Sequence, residues 1–199
     1  MKTIKQIVSA EITVKKSKFI ANIFKVNSEQ EAKEIIEKIN KKYYDARHNC
    51  YAYIVEENGN NIERFSDNGE PSGTAGAPML DILKNKKLSN IIIIVTRYFG
   101  GILLGTGGLV KAYTDASLEA LNKAETIELE YASKYKIQMQ YNELKNFEYN
   151  LKSMKTKIIS NEYNENVEII LIISEENMKI LQSKCELNRV CILEENILL

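Results

Sequence analysis

Every glycine in the chain lies between Gly59 and Gly108, and both prolines, Pro71 and Pro78, fall inside the same window. Glycine reaches backbone conformations closed to other residues, and proline fixes φ. A window that holds all of both is where the chain turns sharply or brings its backbone close to something else. After Gly108 the chain folds without either residue. The sequence therefore reads as two parts: a first with unusual loops, where chemistry concentrates, and a plainer second.

In the first part, residues 19–24 (Phe-Ile-Ala-Asn-Ile-Phe) read as a strand. Ser28-Glu29-Gln30-Glu31 is a capping box opening a helix that buries Ala32, Ile35, Ile36 and Ile39. A strand near 50–55, a turn at 58–61 and a short strand ending at Phe65 suggest a hairpin. A helix over 75–84, a buried strand at 91–95 and a long helix over 108–124 complete this part. That last helix buries Leu109, Ala112, Tyr113, Ala116, Ala120 and Leu121 and shows Lys111 and Asp115 to solvent. In the second part, Tyr135, Ile137, Met139 and Tyr141 alternate with polar residues. A helical face (Leu144, Phe147, Leu151, Met154) follows, then strands at 157–163 and 167–173. A helix capped by Ser174 and a strand at 189–193 end the pattern. The order β-α-β-β-α-β is the ferredoxin-like split unit. The fold class is α+β in two domains, residues 1–125 and 126–199.

Lys plus Arg and Asp plus Glu both total 27, a net charge of zero, which gives no support to nucleic-acid binding through overall charge and shows no DNA specificity. Three cysteines without a C-x-x-C argue against a disulfide framework or zinc knuckle and for a reducing compartment. The first residues lack the apolar core of a signal peptide, and the longest uncharged run is too short to span a bilayer. These features point to the cytoplasm, with no membrane partner and no cofactor named by the sequence.

Three segments hold candidate site residues. "RYFGGILLGTGGLVKAY" (97–113) follows the buried strand and opens a helix. Free amides at a helix start, with glycines admitting close approach, suit an anion. Gly105, Gly107 and Gly108 give backbone access, Thr106 a hydroxyl, and Arg97 and Lys111 charge. Neither the Walker nor the dinucleotide pattern fits: no Gly-Lys pair occurs, and Val110 stands at the third glycine position. Tight turning and helix–sheet packing are the alternative use of the glycines. "DARHNCYAY" (45–53) contributes Asp45, Arg47 and the single histidine, His48, a residue type that exchanges protons near neutral pH. Cys50 shares a strand face with His48, so a Cys–His couple is one option. "RFSDNGEPSGTAGAP" (64–78) offers the hydroxyls of Ser72 and Thr74, with Thr74 placed to cap the next helix. Asp67 and Glu70 make a poor metal site and read as turn residues. No metal is implied. Tyr98 and Phe99 are candidates for stacking on a base.

Taken together, in this order and spacing, the three segments resemble the IMPACT/YigZ family. The resemblance implies a first domain like the second domain of ribosomal protein S five. It implies a ferredoxin-like second domain resembling the last domain of elongation factor G. Eukaryotic relatives regulate translation initiation and carry an additional RWD domain, which makes this chain look like the bacterial type. The implied role is a regulatory or binding protein connected with translation, contacting the ribosome, RNA or a translation factor through the glycine-rich face. The alternative is an enzyme acting on a small anionic or phosphorylated metabolite.

Overall fold

The computed structural model describes residues 1–57 and 60–198 and divides into two compact units, Met1–Glu128 and Leu129–Leu199. In the first unit, strands β1 (Lys2–Ile4), β2 (Val8–Val14) and β3 (Ser17–Lys25) precede helix α1 (Glu29–Lys42). Strands β4 (His48–Glu57) and β5 (Asn60–Ser66), helix α2 (Gly76–Asn85), strand β6 (Ile91–Tyr98), helix α3 (Gly105–Leu121) and strand β7 (Thr126–Glu128) follow. Five strands form an antiparallel sheet in the order β2-β3-β6-β4-β5, while β1 pairs with β7.

The position of β6 at the middle of that sheet explains its run of apolar residues. Ile91, Ile93 and Val95 pack on one face with Met79 and Leu83 of α2 and Ala112 and Tyr113 of α3. Ile92 and Ile94 pack on the other with Ala32 and Ile39 of α1. A strand covered on both faces has no solvent side, so alternation gives way to continuous hydrophobicity. Helix α1 starts at the capping box: the Glu31 amide donates to Ser28 Oγ at 3.1 Å. The Glu31 carboxylate reaches back to the Asn27 amide at 2.7 Å.

Three boundaries differ from the sequence reading. Helix α3 starts at Gly105 rather than near 108, so Gly107 and Gly108 belong to its first turn. The amides of Gly105, Thr106 and Gly107 lack an intrahelical acceptor, whereas that of Gly108 reaches back to the carbonyl of the N-cap, Leu104. The first unit extends past residue 125 because 126–128 form β7, which pairs with β1 from the start of the chain. The opening residues, without a clear pattern in sequence, supply β1 and β2. The turn read at 58–61 includes Asn58 and Gly59, which lie outside the described residues.

The second unit runs β8 (Tyr131–Met139), α4 (Tyr141–Leu151), β9 (Thr156–Tyr163), β10 (Val167–Ile173), α5 (Glu175–Lys184) and β11 (Arg189–Leu198). Its antiparallel sheet has the order β11-β8-β10-β9. The register sets Ile169 opposite Ile137 and Leu171 opposite Tyr135. All four pack in one core with Phe147 and Leu151 of α4 and Met178 and Leu181 of α5. Ser174 caps α5, accepting from the Asn177 amide at 3.3 Å.

Gly100 joins two parts of the first unit. Its amide donates to Ser17 Oγ at 3.1 Å, and a Cβ built on it would collide with the Lys16 carbonyl and the Ser17 amide. Those residues form the tight β2–β3 turn, where Lys15 and Lys16 both have positive φ. Backbone cannot swing aside as a side chain can. Gly100→Ala is expected to lower stability by about 1–3 kcal/mol, measured by chemical denaturation; an unchanged midpoint would show that this approach is not close.

Candidate functional site

Antiparallel pairing of β4 with β6 sets His48 opposite Arg97 at one end of the sheet. Both lie on the face that carries Cys50, Val95 and Ile93 farther along, the face covered by α2 and α3. The segment from Asp67 to Gly76 folds over this end and is held by its own side chains. Asp67 Oδ1 accepts from the amides of Ala75 at 2.9 Å and Gly76 at 2.8 Å, and Oδ2 accepts from Gly73 at 2.8 Å. It thus caps α2 from far up the chain. Thr74, expected to cap this helix, instead donates its hydroxyl to the Pro71 carbonyl at 2.7 Å and is buried. Asn68, at φ +43°, accepts the Asn49 amide on Oδ1 at 2.9 Å. Its carbonyl accepts from His48 Nδ1 at 2.8 Å. A carbonyl can only accept, so Nδ1 carries the proton and Nε2 is turned the other way.

Glu70 is the hub of the arrangement. Its Oε1 accepts from Arg97 Nη1 at 2.6 Å and from the Tyr113 hydroxyl at 2.9 Å, and lies 3.9 Å from His48 Nε2. Arg97 is only 6% exposed, and its guanidinium lies between two rings, 5.5 Å from the centroid of Phe19 and 5.6 Å from that of Phe99. Arg97 Nε is buried without an acceptor. With Nη1 on Glu70, the Arg97 side chain borders the adjacent space.

That space is a cavity of about 440 Å³. Its polar wall comes from Arg47, His48, Glu70, Arg97 and Thr106. Its apolar wall comes from Pro71, Phe99, Leu103, Leu104 and Leu109, and Gly69 and Gly105 complete it. The head of α3 opens here. Its N-cap, Leu104, provides no side-chain acceptor, and its first turn carries no acid. Gly105 has φ +71°, and a Cβ on Gly105 or Gly107 would meet nothing within 4 Å. The fold therefore packs nothing against these two glycines. An unpaired helix start with its dipole uncompensated suits an anion.

The cavity thus unites Arg47, His48, Arg97, Gly105 and Thr106 of the residues singled out in sequence. Gly107 and Gly108 follow in the same helical turn without lining it. Charge is distributed differently from expectation. Arg97 is bound to Glu70. Lys111 is exposed, outside the cavity, and paired with Asp115 at 3.0 Å. Arg47 is exposed and has no ion pair or side-chain hydrogen bond among the described residues. Asp45 accepts the Tyr98 hydroxyl at 2.8 Å outside the cavity, and Ser72 is exposed away from it. Cys50 does share its strand face with His48, but its thiol is buried against the Asp67 carbonyl and the Tyr113 hydroxyl. Burial pushes that thiol up to about 12, which rules out an activated nucleophile. Among the described residues no group of three or more metal-ligating side chains occurs, and no helix is long and apolar enough to cross a membrane.

Comparison with known proteins places these observations. The model of the Impact N-terminal domain matches residues 15–121, which contain the whole cavity. The chain is 41% identical over 173 residues to the IMPACT family member YvyE of Bacillus subtilis, covering 87% of this chain and 79% of that protein. The chain belongs to the IMPACT family. It is 39% identical over 151 residues to the family member YigZ of Escherichia coli, covering 75% of this chain and 74% of that one. A crystal structure described as that of a hypothetical protein superposes with a TM-score of 0.70 at 32% identity, covering 94% of this chain and 95% of the other.

In this IMPACT chain, sequence reasoning missed Glu70 as the hub and Leu103 and Leu104 as cavity wall. Glu70 sits between Gly69 and Pro71, so turn chemistry hid it. A Leu-Leu pair inside a glycine loop was the available signal for the others. Two outcomes are expected. Glu70→Gln strands the buried Arg97 charge and should cost about 3–5 kcal/mol in urea unfolding; a loss below that range would mean the pair is solvated. With iodoacetamide on folded protein, Cys191 should be alkylated while Cys50 is protected until denaturant is added; equal labelling would contradict the sealed thiol.

Proposed function

We propose that this chain is a regulatory binding protein connected with translation, and that its first unit grips an anionic group of its ligand at the head of α3. One observation carries the reading. An uncapped helix start, free of acids and fronted by open glycines, faces an unpaired arginine, Arg47. The link to translation draws on the family, whose eukaryotic members regulate translation initiation. It draws also on the domain descriptions that the family resemblance implies: a first unit like the second domain of ribosomal protein S five, and a second like the last domain of elongation factor G. The β-α-β-β-α-β order with strands β11-β8-β10-β9 supports the ferredoxin-like description of the second unit. The partner is a ribosomal particle, RNA or a translation factor met in the cytoplasm. With zero net charge, recognition is local rather than a broad electrostatic grip.

A second reading, an enzyme acting on a small anionic metabolite, has a specific observation in its favour. His48 is oriented by the Asn68 carbonyl, and its Nε2 stands 3.9 Å from Glu70 in the cavity. That is an arrangement able to accept a proton. A thermal-shift screen finds a small ligand under either reading, since a metabolite at a hundred times its dissociation constant adds about 2.7 kcal/mol, and turnover separates the two. Turnover of such a ligand, abolished in His48→Ala, would favour the enzyme.

For the leading reading, tagged protein is recovered from cells at low and moderate salt. Ribosomal particles, RNA or translation factors should accompany it and diminish with Arg47→Ala; their absence at both salts would contradict the proposal. Arg47→Ala should weaken phosphate binding by about 0.5–1.5 kcal/mol. Being exposed and unpaired, it should leave folding stability within about 0.5 kcal/mol. Arg97→Ala should instead destabilise the fold because it abandons Glu70.

A further inference from the structure

We infer that the ligand held at the head of α3 is a nucleotide, with its phosphate on the helix amides and its base against Phe99. This rests on the anion-site reading above and names its ligand class. A cavity of about 440 Å³ is far larger than an inorganic phosphate and falls within the size of small-molecule sites. Its two walls differ in kind. Arg47, Thr106 and the α3 amides form a polar side, and Phe99, Leu103 and Pro71 form an apolar one. A ligand that fills both carries an anion joined to a flat or apolar group.

Phe99 is built as a platform. The Arg97 guanidinium lies over the ring, 5.6 Å from its centroid, and the fully buried Phe19 backs the same guanidinium. The ring is thereby held from behind, yet Phe99 remains 43% exposed where it borders the cavity. Leu103, 82% exposed, flanks it. A base has a π-face to lay on such a ring whatever its sequence identity. Arg97 stands on the wall of the same cavity, more than nine-tenths buried, paired with Glu70 through Nη1 and with its buried Nε lacking an acceptor.

Glu70 lines the same cavity, and a carboxylate would repel a bare anion. It suits a ligand that also brings hydrogen-bond donors, as ribose hydroxyls do. Zero net charge argues for one nucleotide rather than a long phosphodiester track. The same chemistry is offered by a free mononucleotide and by the end of a single-stranded RNA.

Isothermal titration of the full chain with the four 5′-ribonucleoside monophosphates, ribose 5-phosphate and inorganic phosphate tests the inference. At least one nucleotide should bind about tenfold or more tightly than ribose 5-phosphate, the size a base–aromatic stack contributes. Phe99→Leu should remove that difference and leave ribose 5-phosphate unchanged, and Leu103→Ala, at an exposed position, should reduce it without touching the fold. Equal affinity for nucleotides and ribose 5-phosphate would overturn the nucleotide and leave the anion site standing. No binding of any of these, phosphate included, would overturn both. A short oligoribonucleotide with a 5′-phosphate that binds more tightly than any mononucleotide and than its 5′-hydroxyl form identifies the RNA end as the source. Preference for the mononucleotide identifies the free form. Oligonucleotide binding indifferent to the 5′-phosphate and to Phe99→Leu would contradict the inference.

Discussion

A single carboxylate oxygen holds this site together. Glu70 Oε1 receives Arg97 from the central strand and Tyr113 from α3, and it stands beside His48 of the neighbouring strand. Loop, sheet and helix are thus fixed to one point. Removing two charges from water is costly, and the return depends on good geometry and further hydrogen bonds. Here the Tyr113 hydroxyl supplies one such bond. Arg97, so fixed, becomes the rigid back of Phe99, and the loop that carries Glu70 becomes the rim of the cavity.

The rigidity of the loop has a separate source. Asp67 gathers three amides, among them the two that start α2, and Asn68 ties the next residue to β4 through the Asn49 amide and His48. The Asp67 side chain therefore orients a helix, and the carbonyl of the adjacent Asn68 orients an imidazole. This is the physical meaning of the proline- and glycine-rich composition. Gly69 at φ +84° reverses the chain beside the His48 ring, where a Cβ would already stand 3.4 Å from Nδ1.

The fold was legible where periodicity reports burial. The alternating residues 135–139 and the unbroken apolar strand at 91–95 each announced how many of the strand's faces are covered, although Tyr141, read into the same alternation, is the exposed first residue of α4. The Ser28 and Ser174 caps were readable because their partners lie within one turn. The site was legible in its glycines and its basic residues but not in its wiring. Glu70 and Arg97 are 27 residues apart, and Asp67 caps a helix nine residues on, so no local pattern reveals either. The charge roles given in sequence to Arg97 and Lys111 depended on partners that only the folded chain supplies. Among the described residues, Arg47 has no ion-pair partner. The glycines of the loop before α3 and of its first turn divide by the same logic: Gly100 is required by the backbone it touches, whereas a Cβ on Gly105 or Gly107 would touch nothing.

The central claim is that the amides at the start of α3 receive an anion. The most direct measurement is a phosphate titration of isotopically labelled protein, following backbone amide resonances. The amides of Gly105, Thr106 and Gly107 should shift together and saturate, with weaker saturation in the Arg47→Ala protein. Shifts that grow linearly with phosphate and scatter over the surface, with those three amides unmoved, would contradict the account.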